Sequence, residues 1–425
     1  MPTVPAVSAS MRFLTNWRYM VVHHGRISDQ MNVDRIRQET PLTQEVIYLD
    51  NASTSLSPQP VIDAMVEYET HYRANVGRGV HRLSQIAGQL YWDAHETVNR
   101  FIGGEGGTPV FVRNCTEAIN MVSRGLTFRP GDEIITTVTD HHSNLLPWYA
   151  LREKGVTVNV LSPARNPMAG ITSDDISSTI TKNTRLVAVS HASNVLGTVE
   201  PVKEIAEIAH DNNALCLVDG AQSVPHMKTD VKDIGCDYLC FSGHKMLGPT
   251  GTGVLWMAED SLEPLLLGGG MIDDVTTDGY LVASGYSKYE AGTPNIAGAF
   301  GLRAAVKYLS AIGMDAIEAH EDVLTRKLLC GLSGIEGVTL IGPHEGEKRI
   351  GVVSFIVEGL HPHEVAHILD DQYSIIVRSG HHCCMPLMKY LNLPDGTVRA
   401  SLYLYNTEEE IQTLVEGVRE IVEGV

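Results

Sequence analysis

Short apolar runs alternate with amphipathic patterns between about residues 60 and 265, and this alternation predicts the fold of that part of the chain. Helical patterns such as 58–73 and 202–213 lie between several of the apolar runs. Buried strands that alternate with helices form a mostly parallel sheet that is covered on both faces. We therefore predict an α/β domain whose seven candidate strands are 109–112, 133–137, 156–161, 185–190, 214–219, 237–242 and 253–257.

The C-terminal part has a different pattern, which predicts a smaller α+β domain. Thr407 and Glu410 form a capping-box pattern at the start of the last helix. The predicted helices are 298–313, 315–334, 361–372 and 407–424, and the predicted strands are 338–341, 351–357, 374–379 and 397–402. We expect four parts: an irregular extension at 1–30, a segment at 31–57 that joins the small domain, a large domain at 58–305 and the small domain at 306–425.

Charge and composition exclude some classes of partner. The chain has 425 residues and a formal net charge of −19, and its acidic residues are spread without any basic run. This argues against nucleic acid or an anionic membrane as the main partner, and no apolar stretch reaches the roughly 18 residues of a membrane span. The 7 cysteines lack the spacing of a disulfide framework. We expect a reducing compartment, and therefore the cytoplasm.

Two charged residues follow neighbouring candidate strands where each strand ends. Asp219 ends the run at 214–219, and Lys245 comes shortly after the run at 237–242. In open parallel sheets, ligands bind beyond the carboxyl ends of the strands. A pyridoxal phosphate enzyme needs such a pair, because the lysine forms the Schiff base and the aspartate protonates the pyridine nitrogen. The alternative is an ordinary lysine–aspartate pair on the surface.

Other residues near strand ends complete a candidate cofactor site. A phosphate needs backbone N–H groups and hydroxyls, best at a helix N-terminus. Thr116 begins a helical pattern, Ser242 and His244 flank Lys245, and 291-AGTPN-295 supplies another hydroxyl. His141 is a candidate for stacking on the pyridine ring, and Asn194 and Gln222 are candidate amide donors.

The stretch 378-RSGHHCCMPLM-388 leaves four interpretations open. Adjacent residues cannot easily direct four side chains at one metal ion, since zinc ligands are usually spaced by two to four residues. A Cys383–Cys384 disulfide would close a strained ring and would be reduced in the cytoplasm. A buried structural cysteine is common, and it is the interpretation that we prefer for Cys384. A reactive nucleophile is the fourth interpretation.

The ordered motifs resemble those of a known family. The set YLDNAST, TEAIN, DHHSN, SNVLGT, DGAQS, SGHK and AGTPN resembles the class V aminotransferase superfamily. The tail RSGHHCCMP followed by RASLYLYNT resembles its cysteine desulfurase branch, specifically the group II, SufS-like enzymes. The resemblance runs in order from about Met31 to the C-terminus. It implies a fold-type I pyridoxal phosphate-dependent transferase and a homodimer.

The resemblance also implies a role for individual positions. Lys245, Asp219, Gln222 and His141 correspond to residues that hold the cofactor ring, and Thr116, Ser242 and His244 to phosphate ligands. Thr293 corresponds to a residue that reaches the phosphate from the other subunit. Asn194, Arg399 and Arg378 correspond to residues at the substrate end, where Arg399 would hold the amino-acid carboxylate. Cys383 corresponds to the persulfide-forming nucleophile. Arg78 and His81 correspond to positions near the site or the dimer interface.

The implied activity removes sulfur from L-cysteine, gives L-alanine and leaves a persulfide on Cys383. Protonated His381 and His382 would lower the pKa of that thiol, and this is a hypothesis from their position in the sequence. The persulfide requires a sulfur acceptor, for which we expect a protein of the iron–sulfur assembly type. Selenocysteine lyase is the nearest alternative, with L-selenocysteine as substrate. Kynureninase or epimerase activity and a non-catalytic scaffold are further alternatives, against which Cys383 and Lys245 argue.

Overall fold

The computed structural model describes residues 31–77, 79–343 and 348–424. The extension predicted at 1–30 lies outside the described residues, and so does Arg78. His81 is described, and its ring Nδ1 accepts the Ser84 N–H at 3.3 Å, which caps the helix that begins at Arg82. The predicted domain boundaries stay predictions.

The strands are numbered β1 to β15 along the chain. They are Ile47–Tyr48, Thr108–Val112, Glu133–Thr137, Thr157–Leu161, Thr184–Ser190, Leu215–Asp219, Tyr238–Ser242, Gly253–Met257, Ile272–Val275, Tyr280–Val282, Val338–Ile341, Val352–Val357, Ile375–Ile376, Arg378–Gly380 and Thr397–Ser401. All seven strands that the apolar runs predict are present as β2 to β8.

The helices are numbered α1 to α13. They are Val33–Gln38, Gln59–Glu67, Arg82–Phe101, Cys115–Gly125, Leu146–Tyr149, Ser173–Ser177, Val202–Asp211, Val231–Ile234, Ile296–Ile312, Met314–Ser333, Pro362–Tyr373, Met385–Tyr390 and Glu408–Glu423. The predicted helix 58–73 ends its α-helical part at Glu67 and continues as a π-helical turn over Tyr68–Tyr72. The capping box predicted for the last helix is present, with Thr407 and Glu410 bonded reciprocally.

The central sheet has the strand order β2-β8-β7-β6-β5-β3-β4. Strands β3 to β7 pair in parallel, whereas β8 pairs antiparallel with both β7 and β2. The connection from β7 to β8 holds only a short turn instead of a crossover helix, so the chain reverses direction there. The prediction of a mostly parallel seven-stranded sheet is confirmed, with the mixed edge as an addition.

Apolar side chains on one face of this sheet form a large core cluster with the helices that cover it. Ile134, Leu186, Leu217 and Leu255 come from four different strands and pack in one cluster with the fully buried Trp148. Burial of each such side chain contributes about 1.5–3 kcal/mol. The strand ends that follow these core positions are thereby held in fixed places, which matters because the polar residues described below stand there.

The C-terminal residues form a second, antiparallel sheet with the order β11-β12-β15-β14. Helices α10, α11 and α13 pack on it, and Leu49 from the N-terminal segment joins the same core as Phe355 and Ala400. The predicted strand 374–379 is two short strands, of which β13 pairs in parallel with β1 and β14 pairs with β15. This arrangement places the stretch after β14, with its two cysteines, beside the central sheet.

Candidate active site

A cavity of about 260 Å³ lies where the parallel strands of the central sheet end. Asp219 and Ser242 are the last residues of β6 and β7, and both face this cavity. The cavity lining brings together all the predicted site residues except Thr293, namely Thr116, His141, Asn194, Asp219, Gln222, Ser242, His244, Lys245, Arg378, Cys383 and Arg399.

Asp219 and Lys245 both line the cavity, and each is affected by burial and by the charge of the other. The Oδ1 atom of Asp219 accepts hydrogen bonds from the Ala221 N–H at 2.9 Å and from the Cys115 thiol at 3.2 Å. Burial raises the pKa of Asp219, and burial lowers the pKa of Lys245, although the opposite charge of each acts against the effect of burial. A lysine whose pKa is lowered holds a larger share of free amine, which is the nucleophilic and basic form.

Hydroxyls and backbone donors gather at the N-terminus of α4. The Thr116 and Ser143 hydroxyls are 2.7 Å apart, and the Cys115 N–H donates to Ser242 Oγ at 2.9 Å. Asn114 caps the helix by accepting the Glu117 N–H at 2.9 Å. A helix N-terminus with hydroxyls beside it is suited to bind a phosphate.

His141 faces the cavity as a neutral imidazole. Its Nδ1 accepts the backbone N–H of Ser143 at 3.1 Å, so the ring proton lies on Nε2. Burial and the nearby Lys245 lower the pKa of His141 to about 3. The turn that carries it is held by Asn144, which donates to Asp140 and accepts from the indole N–H of Trp148.

Gln222 and His244 have surroundings that the sequence does not reveal. The Nε2 of Gln222 donates to the Ala52 carbonyl at 2.8 Å, and its buried Oε1 has no partner among the described residues. The sequence predicts an amide donor here, whereas the unpaired atom is an acceptor that a ring hydroxyl would satisfy. Burial lowers the pKa of His244 to about 4, so that this residue is neutral as well. The orphaned amide oxygen and the hydroxyl cluster fit pyridoxal phosphate.

Arg399 is a buried arginine at the other end of the cavity. Its Nη2 donates to Asp50 Oδ1 at 3.0 Å and to Ser53 Oγ at 2.8 Å, and its Nη1 donates to the Asn194 carbonyl at 3.1 Å. Burial lowers the pKa of Arg399, and the Asp50 carboxylate opposes that change. Arg378 is exposed and lies 3.9 Å from the same carboxylate. The pair of arginines gives this end of the cavity a positive charge that suits an anionic group.

Cys383 stands on the rim of the cavity in an unusual backbone conformation. His382 and Cys383 have φ values of 51° and 55°, which lie in the left-handed region. Such residues persist only where the surroundings impose the conformation, and they cluster at functional sites. Cys383 is exposed, so its thiol is accessible from the cavity and from solvent.

His382 does not act on the thiol in the way the sequence suggested. Burial lowers its pKa to about 2, and its Nε2 is 2.8 Å from the hydroxyl of Thr397. The ring is therefore neutral at pH 7 and cannot lower the pKa of the Cys383 thiol as a cation. That part of the hypothesis is wrong, because it ignored the desolvation of His382 by the surrounding protein.

Cys384 lies in an apolar cluster. It is 0% exposed, it packs with Val195 and Leu387, and burial raises the pKa of its thiol. This burial agrees with the interpretation of Cys384 as a structural cysteine, and its role stays a prediction. All seven cysteines are free thiols. Within 31–77, 79–343 and 348–424, no group of three or more His, Cys, Asp or Glu side chains is arranged to hold a metal.

Thr293 lies outside the cavity. It is exposed and lines two neighbouring surface pockets of about 490 and 630 Å³, which it shares with Glu290 and Pro294. Its role stays a prediction that requires a second subunit.

Residues absent from the sequence prediction include Ser53, Cys115 and Ser143, which line the cavity, and Asp50, which accepts a hydrogen bond from Arg399. Ser143 and Cys115 lie next to predicted residues, and a hydroxyl at the start of a turn is a usable signal for Ser143. Asp50 follows the two-residue strand β1, which is too short to be recognised from its pattern.

Comparisons with known proteins agree with this geometry. The family described as Aminotransferase class-V matches residues 47–414. A probable cysteine desulfurase of Methanothermobacter thermautotrophicus is 46% identical over 397 residues, which cover 92% of this chain and 98% of that protein. A cysteine desulfurase of Haloferax volcanii is 41% identical over 385 residues, which cover 88% and 89% of the two chains.

Solved structures give the same result. The apo structure of cysteine desulfurase from Thermococcus onnurineus has a TM-score of 0.89 at 46% identity and covers 92% of this chain and 98% of that one. Among the described helices, none is long and apolar enough to cross a membrane. The family match, the relatives and the cofactor-shaped cavity lead to one conclusion: the chain belongs to the aminotransferase class-V family of pyridoxal phosphate enzymes.

Proposed function

We propose that the protein is a cysteine desulfurase, which converts L-cysteine to L-alanine and leaves the sulfur as a persulfide on Cys383. The observation that carries this proposal is the position of Cys383, an exposed cysteine on the rim of the same cavity that Lys245, Asp219 and Arg399 line. The relatives at 41–46% identity bear the name cysteine desulfurase or probable cysteine desulfurase.

The proposed cofactor contacts follow from the cavity. Pyridoxal phosphate, when bound, supplies an electron sink for bonds at the Cα and Cβ atoms of an amino acid. Lys245 would hold it covalently, Asp219 would pair with the ring nitrogen, and Gln222 would bind the ring hydroxyl. His141 would stack on the ring, while Asn194 would lie near it at the substrate end. The phosphate ligands would be Thr116, Ser242 and His244, with Thr293 supplied by the other subunit of a homodimer.

Arg399 and Lys245 have different roles in the proposed reaction. Arg399 binds the substrate carboxylate, with Arg378 nearby, because a guanidinium forms paired hydrogen bonds with a carboxylate. The free amine of Lys245, which is the form that its lowered pKa favours, receives the Cα proton on Nζ. These two contacts orient the substrate so that its sulfur points toward the rim of the cavity.

Cys383 then completes the transfer as a thiolate. Its sulfur attacks the substrate sulfur, so that a sulfur–sulfur bond forms and the substrate's carbon–sulfur bond breaks. The electron pair of the broken bond goes to the substrate. Cβ takes up one proton, equivalent to the one that the Cys383 thiol released, and Cα takes back the proton from Lys245. The products are L-alanine and a persulfide on Cys383.

We also propose the finer features that the resemblance implies. The protein would be a group II, SufS-like enzyme of the cytoplasm that passes sulfur to an acceptor or scaffold protein of the iron–sulfur assembly type. Its large domain would span 58–305 and its small domain 306–425, with 31–57 joining the latter. The pairing of β1 with β13 supports that last assignment, and the seven free thiols suit a reducing compartment.

Alanine release from L-cysteine by the cofactor-loaded protein tests the proposal. Cys383→Ser should abolish it, whereas Cys384→Ser provides the matched control at the adjacent position and should retain it. L-selenocysteine serves as the parallel substrate. Alanine from L-selenocysteine alone, released equally well by Cys383→Ser, would replace the desulfurase with a selenocysteine lyase.

A further inference from the structure

The loop that carries Cys383 does not hold its own conformation. Two consecutive residues in the left-handed region cost free energy, which contacts from outside the loop must offset. Several contacts hold the loop besides the one proposed below, among them the contact of His382 with Thr397 described above. Asn194 Nδ2 donates to the His382 carbonyl at 2.8 Å. The Cys384 thiol lies 3.4 Å from the carbonyl oxygens of Thr139 and Asp140.

His142 contacts this loop at the nucleophile itself and two residues after it. Its backbone N–H donates to the Cys383 carbonyl at 2.8 Å, and its ring Nε2 accepts the Met385 N–H at 3.1 Å. Since a backbone N–H can only donate, the ring must be neutral at Nε2, with its proton on Nδ1. Burial and the nearby His381 lower the pKa of His142, which keeps it in this form.

The contact of the His142 ring satisfies a backbone N–H group at the start of α12, the helix that follows the loop. The first N–H groups of a helix have no partner within it. Cys384 stands at the N-cap of α12 and makes no side-chain capping bond, while Pro386 has no N–H to offer. The His142 ring therefore caps α12 from the central sheet, across a separation of 243 positions in sequence.

We propose that His142 is a positioning residue for Cys383: its backbone and its ring together hold the nucleophile loop so that the thiol faces the cavity. This inference rests on the proposed function for its consequence in catalysis. His142 is absent from the lining of the cavity, so it acts through the loop and does not touch the substrate.

Two substitutions distinguish the effect of the hydrogen-bond acceptor at His142 Nε2 from the effect of the size of the ring. His142→Phe keeps a ring of similar size without an acceptor, and His142→Gln keeps an acceptor near the position of Nε2. Loss of one hydrogen bond should lower kcat for alanine release about 3- to 10-fold in His142→Phe. The Gln variant should stay within about 2-fold of wild type. KM and the absorbance change of the bound cofactor on addition of L-cysteine should be unchanged in both.

The rate of alkylation of Cys383 by iodoacetamide provides a readout that needs no desulfurase activity. It should change in His142→Phe and His142→Ala but not in His142→Gln or in the remote control His210→Ala. If the wild type releases no alanine, the proposed function fails while this comparison still decides the role of His142. Equal rates in wild type and His142→Phe, or equal losses in the Phe and Gln variants, would overturn the inference. Melting temperatures identify a variant that fails to fold, and the other two substitutions then decide.

Discussion

Replacement of Arg399 by lysine keeps a positive charge in the cavity and removes the planar fork of donors. Arg399 is only 2% exposed, and it is oriented by Asp50 and Ser53 through Nη2 and by the Asn194 carbonyl through Nη1. A lysine ammonium is a single point of charge that cannot satisfy these partners and a substrate carboxylate in the same geometry. We therefore expect Arg399→Lys to weaken substrate binding.

The magnitude follows from the contacts that are lost. A hydrogen bond to a charged group contributes about 1.5–3 kcal/mol, so the loss of one carboxylate contact should lower kcat/KM by about 10- to 150-fold. The carboxylate is held before and during the reaction, and for this reason most of the change should appear in KM. Arg378→Lys should cost less than about 5-fold, because an exposed charge is screened by solvent.

Steady-state alanine release at varied L-cysteine concentration measures both effects. Arg165→Lys is a control for an exposed arginine, since Arg165 pairs with Asp174 at 2.8 Å on the surface. Melting temperatures show whether Asp50, left with a poorer partner, destabilises the variant. A larger loss in Arg378→Lys than in Arg399→Lys would refute the reasoning, and so would a loss confined to kcat.

Three further substitutions test other parts of the site and its surroundings. Asp219→Asn should weaken retention of cofactor absorbance on dialysis about 10-fold or more, because a charged hydrogen bond is lost; unchanged retention would contradict the proposed pairing. Burial raises the pKa of Glu200 to about 8 from 4.5. Between about pH 5 and 8, Glu200 is therefore protonated in the folded state and ionised in the unfolded state. Over this range its contribution to the free energy of unfolding falls by about 1.4 kcal/mol for each pH unit by which the pH rises. The free energy of unfolding, measured with urea at several pH values, should lose this contribution to its pH dependence in Glu200→Gln. Parallel pH profiles of the wild type and the variant would contradict the raised pKa of Glu200. Cys384→Ala should lower the free energy of unfolding by about 1 kcal/mol through a small cavity and preserve most alanine release; inactivity with intact folding would assign Cys384 a chemical role.

The central sheet is predictable from sequence because its strands are buried on both faces. Each of the seven apolar runs agrees with an observed strand within one residue at either end. The hairpin formed by β9 and β10 is not predictable in this way, since its strands are short and mostly exposed. The split of 374–379 into β13 and β14 depends on two different partners, β1 and β15, which no local pattern reveals.

The candidate site also has residues that the sequence predicts and contacts that it does not predict. Asp219, Ser242 and Lys245 follow strand ends, where a parallel sheet places its ligands, and the sequence alone identifies them. The contacts of Asp50 with Arg399 and of His142 with Met385 join segments 349 and 243 positions apart. They depend on how the second sheet meets the first, and so only the structure shows them.

The different exposure of the two adjacent thiols affects where a transferred sulfur atom can go. Cys383 is open to solvent, whereas Cys384 is enclosed by apolar side chains and backbone carbonyls. A persulfide on Cys383 therefore has as its neighbour a buried thiol whose raised pKa keeps it protonated, and a protonated thiol is a poor nucleophile toward that sulfur. The lifetime of the stored sulfur is then set by the thiols that arrive from outside, so its release is bimolecular and depends on their concentration.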